Sequence, residues 1–344
     1  MQARLARAED TTAIAEAAAA EAIGPRPPFF IVGQAKSGTS WVMRLLDAHP
    51  QVLARGEGRF VGRGYKRPDV KRMDSATLQP SSLQRAFLDN EYLRAWLERS
   101  VWTRGESTED VLDELVAASI RHVLHRALAQ SGKELVGDKT PFLSADTLVE
   151  LASLSEDARV IHVIRDGRDV AVSAIHHLWN HALDLGGGFD LTPAEARIRE
   201  RYRADPSRFL DSGKSIFIER RIVALAGSWQ TNVSRAISDG RAVLGDRYIE
   251  VRFESLAHEP IAETARLFEF LTIDADSKVV ASCVEHASFE RFSGGRAVGV
   301  EDSTAFNRKG VAGDWKEVFT ERDRRLFTEE AGDLLEELGY PLDA

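Results

Sequence analysis

The feature that most limits what this chain can become is a short apolar run, Pro28-Phe29-Phe30-Ile31-Val32, that stops at a polar turn, Gly33-Gln34-Ala35-Lys36-Ser37-Gly38-Thr39-Ser40-Trp41. A continuous apolar run without alternation suits a strand buried on both faces, as in the middle of a parallel sheet. Beyond the turn, Trp41, Val42, Leu45 and Leu46 recur at helical spacing, so the turn joins a strand to the N-terminus of a helix. At such a junction unpaired backbone N–H groups and the helix dipole both favour an anion. Gly33 and Gly38 let the backbone come close to a ligand, and Ser37, Thr39 and Ser40 add hydroxyl donors. The turn reads as a phosphate site. It is not a Walker A loop, in which lysine directly follows the second glycine and a magnesium-binding Ser or Thr comes next. Here Lys36 precedes Gly38 and stands at the apex, and no metal ligand is demanded.

Two further runs have the same character. Arg159-Val160-Ile161-His162-Val163-Ile164 ends in Arg165-Asp166 and leads into a helix through Val170, Val172 and Ala174, and Tyr248-Ile249-Glu250-Val251-Arg252-Phe253 precedes another helix. Alternating strands and helices predict an α/β fold with a mostly parallel central sheet flanked by helices. Residues 82–130 predict amphipathic packing helices, whereas 183–215, with Gly186-Gly187-Gly188 and many charges out of period, reads as a mobile loop or lid near the substrate. Residues 1–28 read as a helical arm closed by the proline-rich Gly24-Pro25-Arg26-Pro27-Pro28, and 29–344 as one large domain. With 344 residues, 43% of them hydrophobic, that domain has ample core.

A net charge of -9 argues against a general nucleic-acid binder or a basic membrane-surface protein, so any anion site has to be locally basic. The single cysteine, Cys283, excludes an intramolecular disulfide framework and a thiolate zinc cluster, and leaves a reducing, cytoplasmic setting as the expectation. Charges at Arg4, Arg7, Glu9, Asp10, Glu16 and Glu21 interrupt the start of the chain, which lacks the apolar run of a signal peptide, and no other stretch reads as a membrane span.

The first loop resembles the 5′-phosphosulfate loop of the sulfotransferases that use 3′-phosphoadenosine 5′-phosphosulfate (PAPS), Pro-Lys-Ser-Gly-Thr-Thr/Ser-Trp, with Ala35 in place of the proline. A nucleotide with a 3′-phosphate needs a second cationic site. Arg165-Asp166-Gly167-Arg168-Asp169-Val170-Ala171-Val172-Ser173 is similar to the family's 3′-phosphate motif, which assigns Arg165 and Ser173 to that phosphate and leaves Arg168 and Asp169 as a pair on a solvated helix face. Phe306-Asn307-Arg308-Lys309-Gly310-Val311-Ala312-Gly313-Asp314-Trp315-Lys316 resembles the Arg-Lys-Gly…Gly-Asp-Trp-Lys loop that folds over the nucleotide, implicating Arg308, Lys309 and Gly310. Glu285-His286-Ala287-Ser288-Phe289 is similar to the His-Thr-Ser-Phe segment that borders the adenine, carrying over Ser288 and Phe289; Trp41 and Trp229 are candidates to stack on the purine. These motifs run in family order from about residue 29 to 316. The resemblance implies a P-loop-like sulfotransferase fold and transfer of a sulfuryl group from PAPS to a hydroxyl or amine, with no metal required.

The resemblance also bears on the general base. In the phenol and steroid branch it is the histidine of Lys-Thr-His, but Gly137-Asp138-Lys139-Thr140-Pro141-Phe142 puts Pro141 there. The stretch looks more like the Lys-Thr-Pro or Lys-Asp-Pro of carbohydrate and tyrosylprotein sulfotransferases, which use a glutamate soon after the first helix. Glu57, in Arg55-Gly56-Glu57-Gly58-Arg59-Phe60, holds that place. Lys36 would then stabilise the leaving phosphate oxygen, Glu57 take the proton, and Lys139 hold the sulfate or orient the acceptor. His49 reads as a packing or capping residue and His162 as part of a strand, while His176 and His177 are candidates to line the acceptor cleft. The acceptor stays open among small molecules, carbohydrates and peptides, and so does the oligomeric state, a homo-oligomer included. A kinase-like phosphotransferase and a non-catalytic binding protein on the same fold are the competing readings.

Overall fold

The computed structural model describes residues 26–62, 82–142, 146–155, 157–181, 191–303, 305 and 308–342. The expected arm over 1–28 therefore lies almost wholly outside the described residues, as do 182–190 of the expected lid.

Five parallel strands form one sheet: β1 Phe29–Val32, β2 Val52–Gly56, β3 Leu135–Lys139, β4 Arg159–Ile164 and β5 Tyr248–Arg252, in the order β2-β3-β1-β4-β5. The apolar run at 29–32 is the central strand, fully buried between β3 and β4. Strand alternation sends Phe29 and Ile31 into the core under helices Thr39–Asp47 and Pro260–Leu271, and Phe30 and Val32 into the opposite core under helix Thr108–Ser131. A third apolar cluster joins helices Gly167–His181, Glu219–Asp239 and Glu321–Glu337. β2 and β3 lie on one side of β1 and β4 and β5 on the other, so a crevice opens where the loops leave the C-terminal ends of the strands.

β2 and β3 show no continuous apolar run in the sequence, because their second halves, Arg55-Gly56 and Asp138-Lys139, are polar. Residues 193–211, read as loop, form helices Pro193–Ala204 and Pro206–Asp211. Few apolar residues mark their period; the usable signal was Thr192-Pro193 with Glu195, a complete capping box. Among the described residues no helix is long and apolar enough to cross a membrane.

One contact fixes how closely β1 and β3 lie. Gly137 pairs in register with Phe29, and a Cβ built at Gly137 would fall 2.2 Å from the Phe29 ring. Gly137→Ala forces that ring aside within a filled core, and an overpacking cost of roughly 1–3 kcal/mol is expected. Urea unfolding followed by circular dichroism checks this as a lower midpoint at unchanged slope.

Candidate active site

The first loop leaves β1 at Gly33, turns through a Gln34 carbonyl that accepts from the Ser37 amide at 3.0 Å, and enters helix Thr39–Asp47 at Gly38. Lys36 at the apex has φ 78, a left-handed conformation unusual for a side-chain-bearing residue. Gly38 has φ 98, and a Cβ there would meet the Phe253 ring at 2.6 Å, so glycine is required on both counts. Among the described residues no side chain caps this helix, which leaves its first amides for a ligand. Lys36, Gly38, Thr39, Ser40 and Trp41 line a cavity of about 650 Å³. Ser37 is instead buried beneath the loop, and its Oγ has no hydrogen-bond partner among the described residues. Burial, with Arg165 and Lys139 adding repulsion and Glu57 opposing, brings the Lys36 ammonium pKa down to about 8.

The β2–β3 register sets Gly56 opposite Lys139, so the first residue past β2 lands beside that lysine. Lys139 Nζ donates to Glu57 Oε1 at 2.6 Å, and the Glu57 amide donates to the Lys139 carbonyl at 2.8 Å. The lysine side chain is 6% exposed and the glutamate 51% exposed, so the carboxylate is tethered yet open to the cavity that both line.

Arg165 follows β4. Its guanidinium lies 4.3 Å from the centre of the Phe253 ring, donates to the carbonyls of Lys36 at 3.3 Å and Val311 at 2.8 Å, and pairs with Asp169 at 3.4 Å. Asp169 in turn accepts from the amides of Gly313 at 2.7 Å and Trp315 at 3.0 Å. Burial pushes the Asp169 carboxyl pKa up, against the pull of Arg165 and those amides. The expectation of a solvated Arg168–Asp169 pair is therefore wrong: both are buried. Arg168 pairs with Asp166 at 2.8 Å and stacks on Trp315, 3.6 Å from the ring centre. Helix Gly167–His181 packs against helices Glu219–Asp239 and Trp315–Val318 and has no solvated face in its first turn.

Ser173, Ser288, Phe289, Arg308, Lys309 and Gly310 also line the cavity. Gly310 fits flat against Phe289, where a Cβ would fall 2.4 Å from the ring. Arg308 is held by Asp314 and, at 3.0 Å, by Glu301; Lys309 is held by Asp314 at 2.7 Å and Glu317 at 2.8 Å.

Trp229 is a correction. It is fully buried, its indole N–H donates to the Arg165 carbonyl at 3.1 Å, and it fills the space over Gly167. It supports Arg165 from behind and offers no face to a purine. Of the histidines, His49 bridges the Gln51 amide and the Asp274 carbonyl, and His162 is buried against the Tyr248 hydroxyl. His176 is buried among Trp179 and Tyr202, with its pKa brought down to about 3 by burial first of all, so only His177 of that pair reaches the cavity. Sequence reasoning missed Phe253 and the role of Asp169; the latter's signal was its position one helical turn after Arg165.

A family profile described as the sulfotransferase domain matches residues 26–339. The chain belongs to the sulfotransferase family. It is 25% identical over 185 residues to sulfotransferase 1A1 from Bos taurus, an alignment covering 51% of this chain and 54% of that protein. The chain thus spans about half the length of the curated relative it matches. Among solved structures it is similar to mouse sulfotransferase SULT7A1 complexed with PAP, at 17% identity, covering 92% of this chain and 88% of that chain with TM-score 0.49. It is also similar to the sulfotransferase domain of the Synechococcus PCC 7002 olefin synthase, at 18% identity, 89% and 94% coverage and TM-score 0.44.

The Lys36 charge carries a stability consequence for this sulfotransferase-family chain. The folded pKa of about 8 lies below the usual 10.5, so the ammonium destabilises the free fold in full below about pH 8, and the penalty fades as pH rises toward 10.5. Lys36→Met is expected to raise the urea midpoint at pH 7 and to show a smaller gain at pH 10. Paired melts at the two pH values check the sign.

Proposed function

We propose that the protein transfers a sulfuryl group from PAPS to a hydroxyl or amine of a small-molecule, carbohydrate or peptide acceptor and releases adenosine 3′,5′-bisphosphate (PAP). The observation that carries this reading is the grouping of Lys36, Lys139 and Arg165, at or just beyond the ends of adjacent strands, around one cavity with a tethered, half-exposed Glu57. That cavity is within the size range of small-molecule sites, about 300–1,000 Å³. The nucleotide fits the donor set: among the described residues Arg165 Nε is a buried donor without a partner, and the helix that starts at Gly38 without a side-chain cap supplies amides for a 5′-phosphate.

In this reading Arg165 and Ser173, with Arg308 and Lys309, hold the 3′-phosphate, and Trp41, Ser288 and Phe289 border the purine. PAPS supplies an activated sulfur. The acceptor oxygen or nitrogen bonds to that sulfur as the bond from sulfur to the phosphate oxygen breaks, and the acceptor proton passes to a base. Lys36 donates to the departing phosphate oxygen, where charge builds. Lys139 occupies Glu57 Oε1, which leaves Oε2 to take the proton. A cytoplasmic setting fits a sequence whose single cysteine, Cys283, cannot form an intramolecular disulfide.

Glu57→Gln keeps the shape and removes the base. Turnover is expected to fall by about 10²–10⁴-fold, the usual range for a lost general base, with PAP affinity by calorimetry within a few-fold of wild type. Transfer from labelled PAPS into a cell extract, read by mass spectrometry as added sulfate, measures the first; unimpaired turnover removes Glu57 from the chemistry.

A further inference from the structure

Beneath the proposed base lies a buried carboxylate to which nothing so far gives a task. Asp138 sits on β3 next to Lys139 and is buried. Its Oδ1 accepts from the Gly58 amide at 2.9 Å, and its Oδ2 accepts from the Thr140 hydroxyl at 2.5 Å. Burial raises the Asp138 pKa, opposed by the Thr140 hydroxyl, the Gly58 amide and Lys139.

The turn it holds is strained. Glu57 has φ 60 and Arg59 φ 51, left-handed conformations that a residue with a side chain adopts only when its surroundings impose them. Between them, Gly58 passes so close that a Cβ would fall 2.9 Å from Asp138 Oδ1 and 2.4 Å from the Phe60 ring. The turn is secured at both ends by backbone bonds, from the Glu57 amide to the Lys139 carbonyl and from the Leu83 and Gln84 amides to the Arg59 and Phe60 carbonyls. At its centre the side chain of Asp138 holds the Gly58 amide. Consecutive residues of β3 therefore grip Glu57 from two sides, Lys139 by its carboxylate and Asp138 by the backbone that follows it.

We infer that Asp138 is a positioning residue for sulfuryl transfer: by pinning the Gly58 amide it fixes the left-handed turn that aims the Glu57 carboxylate into the cavity. This rests on Glu57 being the base. The pin needs an acceptor oxygen and not a charge, so an asparagine, whose amide oxygen can accept from Gly58, should replace the aspartate while alanine cannot. Asp138 bonds to Gly58 and Thr140, neither of which is a proposed nucleotide ligand, so its loss should act on kcat and leave nucleotide binding alone.

The test compares Asp138→Ala, Asp138→Asn, Glu57→Gln and the Asp138→Ala/Glu57→Gln double variant in the full chain, with PAP as the binding probe and labelled PAPS plus a cell extract that supports wild-type turnover. Expected are a loss of roughly 10–100-fold in kcat for Asp138→Ala, PAP affinity within about 3-fold, near-complete rescue in Asp138→Asn, and a double variant no slower than Glu57→Gln, as for residues that act as one unit. Equal slowing by Asp138→Ala in both backgrounds, or an Asp138→Asn variant as slow as the alanine, overturns the inference. Hydrogen exchange at the Gly58 amide reads the pin without catalysis: it should be slow in wild type and Asp138→Asn and at least about 10-fold faster in Asp138→Ala. If Glu57→Gln stays active, the base assignment fails, whereas unchanged Gly58 exchange in Asp138→Ala defeats the pin itself.

Discussion

Parallel strands all end on the same edge of a sheet, and in this fold that geometry crowds charge. β1, β3 and β4 are neighbours, so Lys36, Lys139 and Arg165, which lie at or just beyond their ends, have to share one volume. The crowding shows in the depressed Lys36 pKa, to which burial, Arg165 and Lys139 all contribute. A chain with a net charge of -9 thereby makes a local cationic site without a basic surface. The central strand makes this possible: its two backbone edges pair with the parallel strands β3 and β4, and those neighbours bring the cations.

Bare cations in such a space would repel one another, and the fold answers with carboxylates at set positions. Glu57 lies against Lys139, and Asp169 lies against Arg165 while also binding the amides of Gly313 and Trp315. Asp169 thus links the loop after β4 to a loop nearly 150 residues later, which is how distant stretches come to form one wall. Truncating such a buried acceptor would leave two amides and a guanidinium short of a partner, so its role is organisational even though it lines the cavity.

Much of this was legible beforehand where residue type alone carries the physics. The run at 29–32, the glycine turn and the helical spacing after Trp41 identify a phosphate loop, because few other folds need that succession. Lys139 and Glu57 were named without their mutual contact, since the pairing depends on the register of β2 and β3, and neither strand shows an apolar run. Trp229, Arg168 and Asp169 were misplaced for a related reason: whether a polar or aromatic side chain faces a ligand, solvent or core is decided by what packs over it, here helices drawn from the far end of the chain. The helices over 193–211 were hidden by charge, although their caps were visible in the sequence.

The carboxylates around Arg308 and Lys309 have a thermodynamic consequence. Asp314, Glu301 and Glu317 already neutralise both side chains in the free protein. If the 3′-phosphate docks there as proposed, its arrival is an exchange of counter-ions, and the gain is only the margin by which a phosphate outcompetes carboxylates as a partner. Such an exchange rewards a ligand with concentrated charge and several acceptor oxygens, and gives little to a simple monoanion. On the proposed docking, the part of the site around Arg308 and Lys309 would stay nearly neutral at rest and still discriminate by phosphate content.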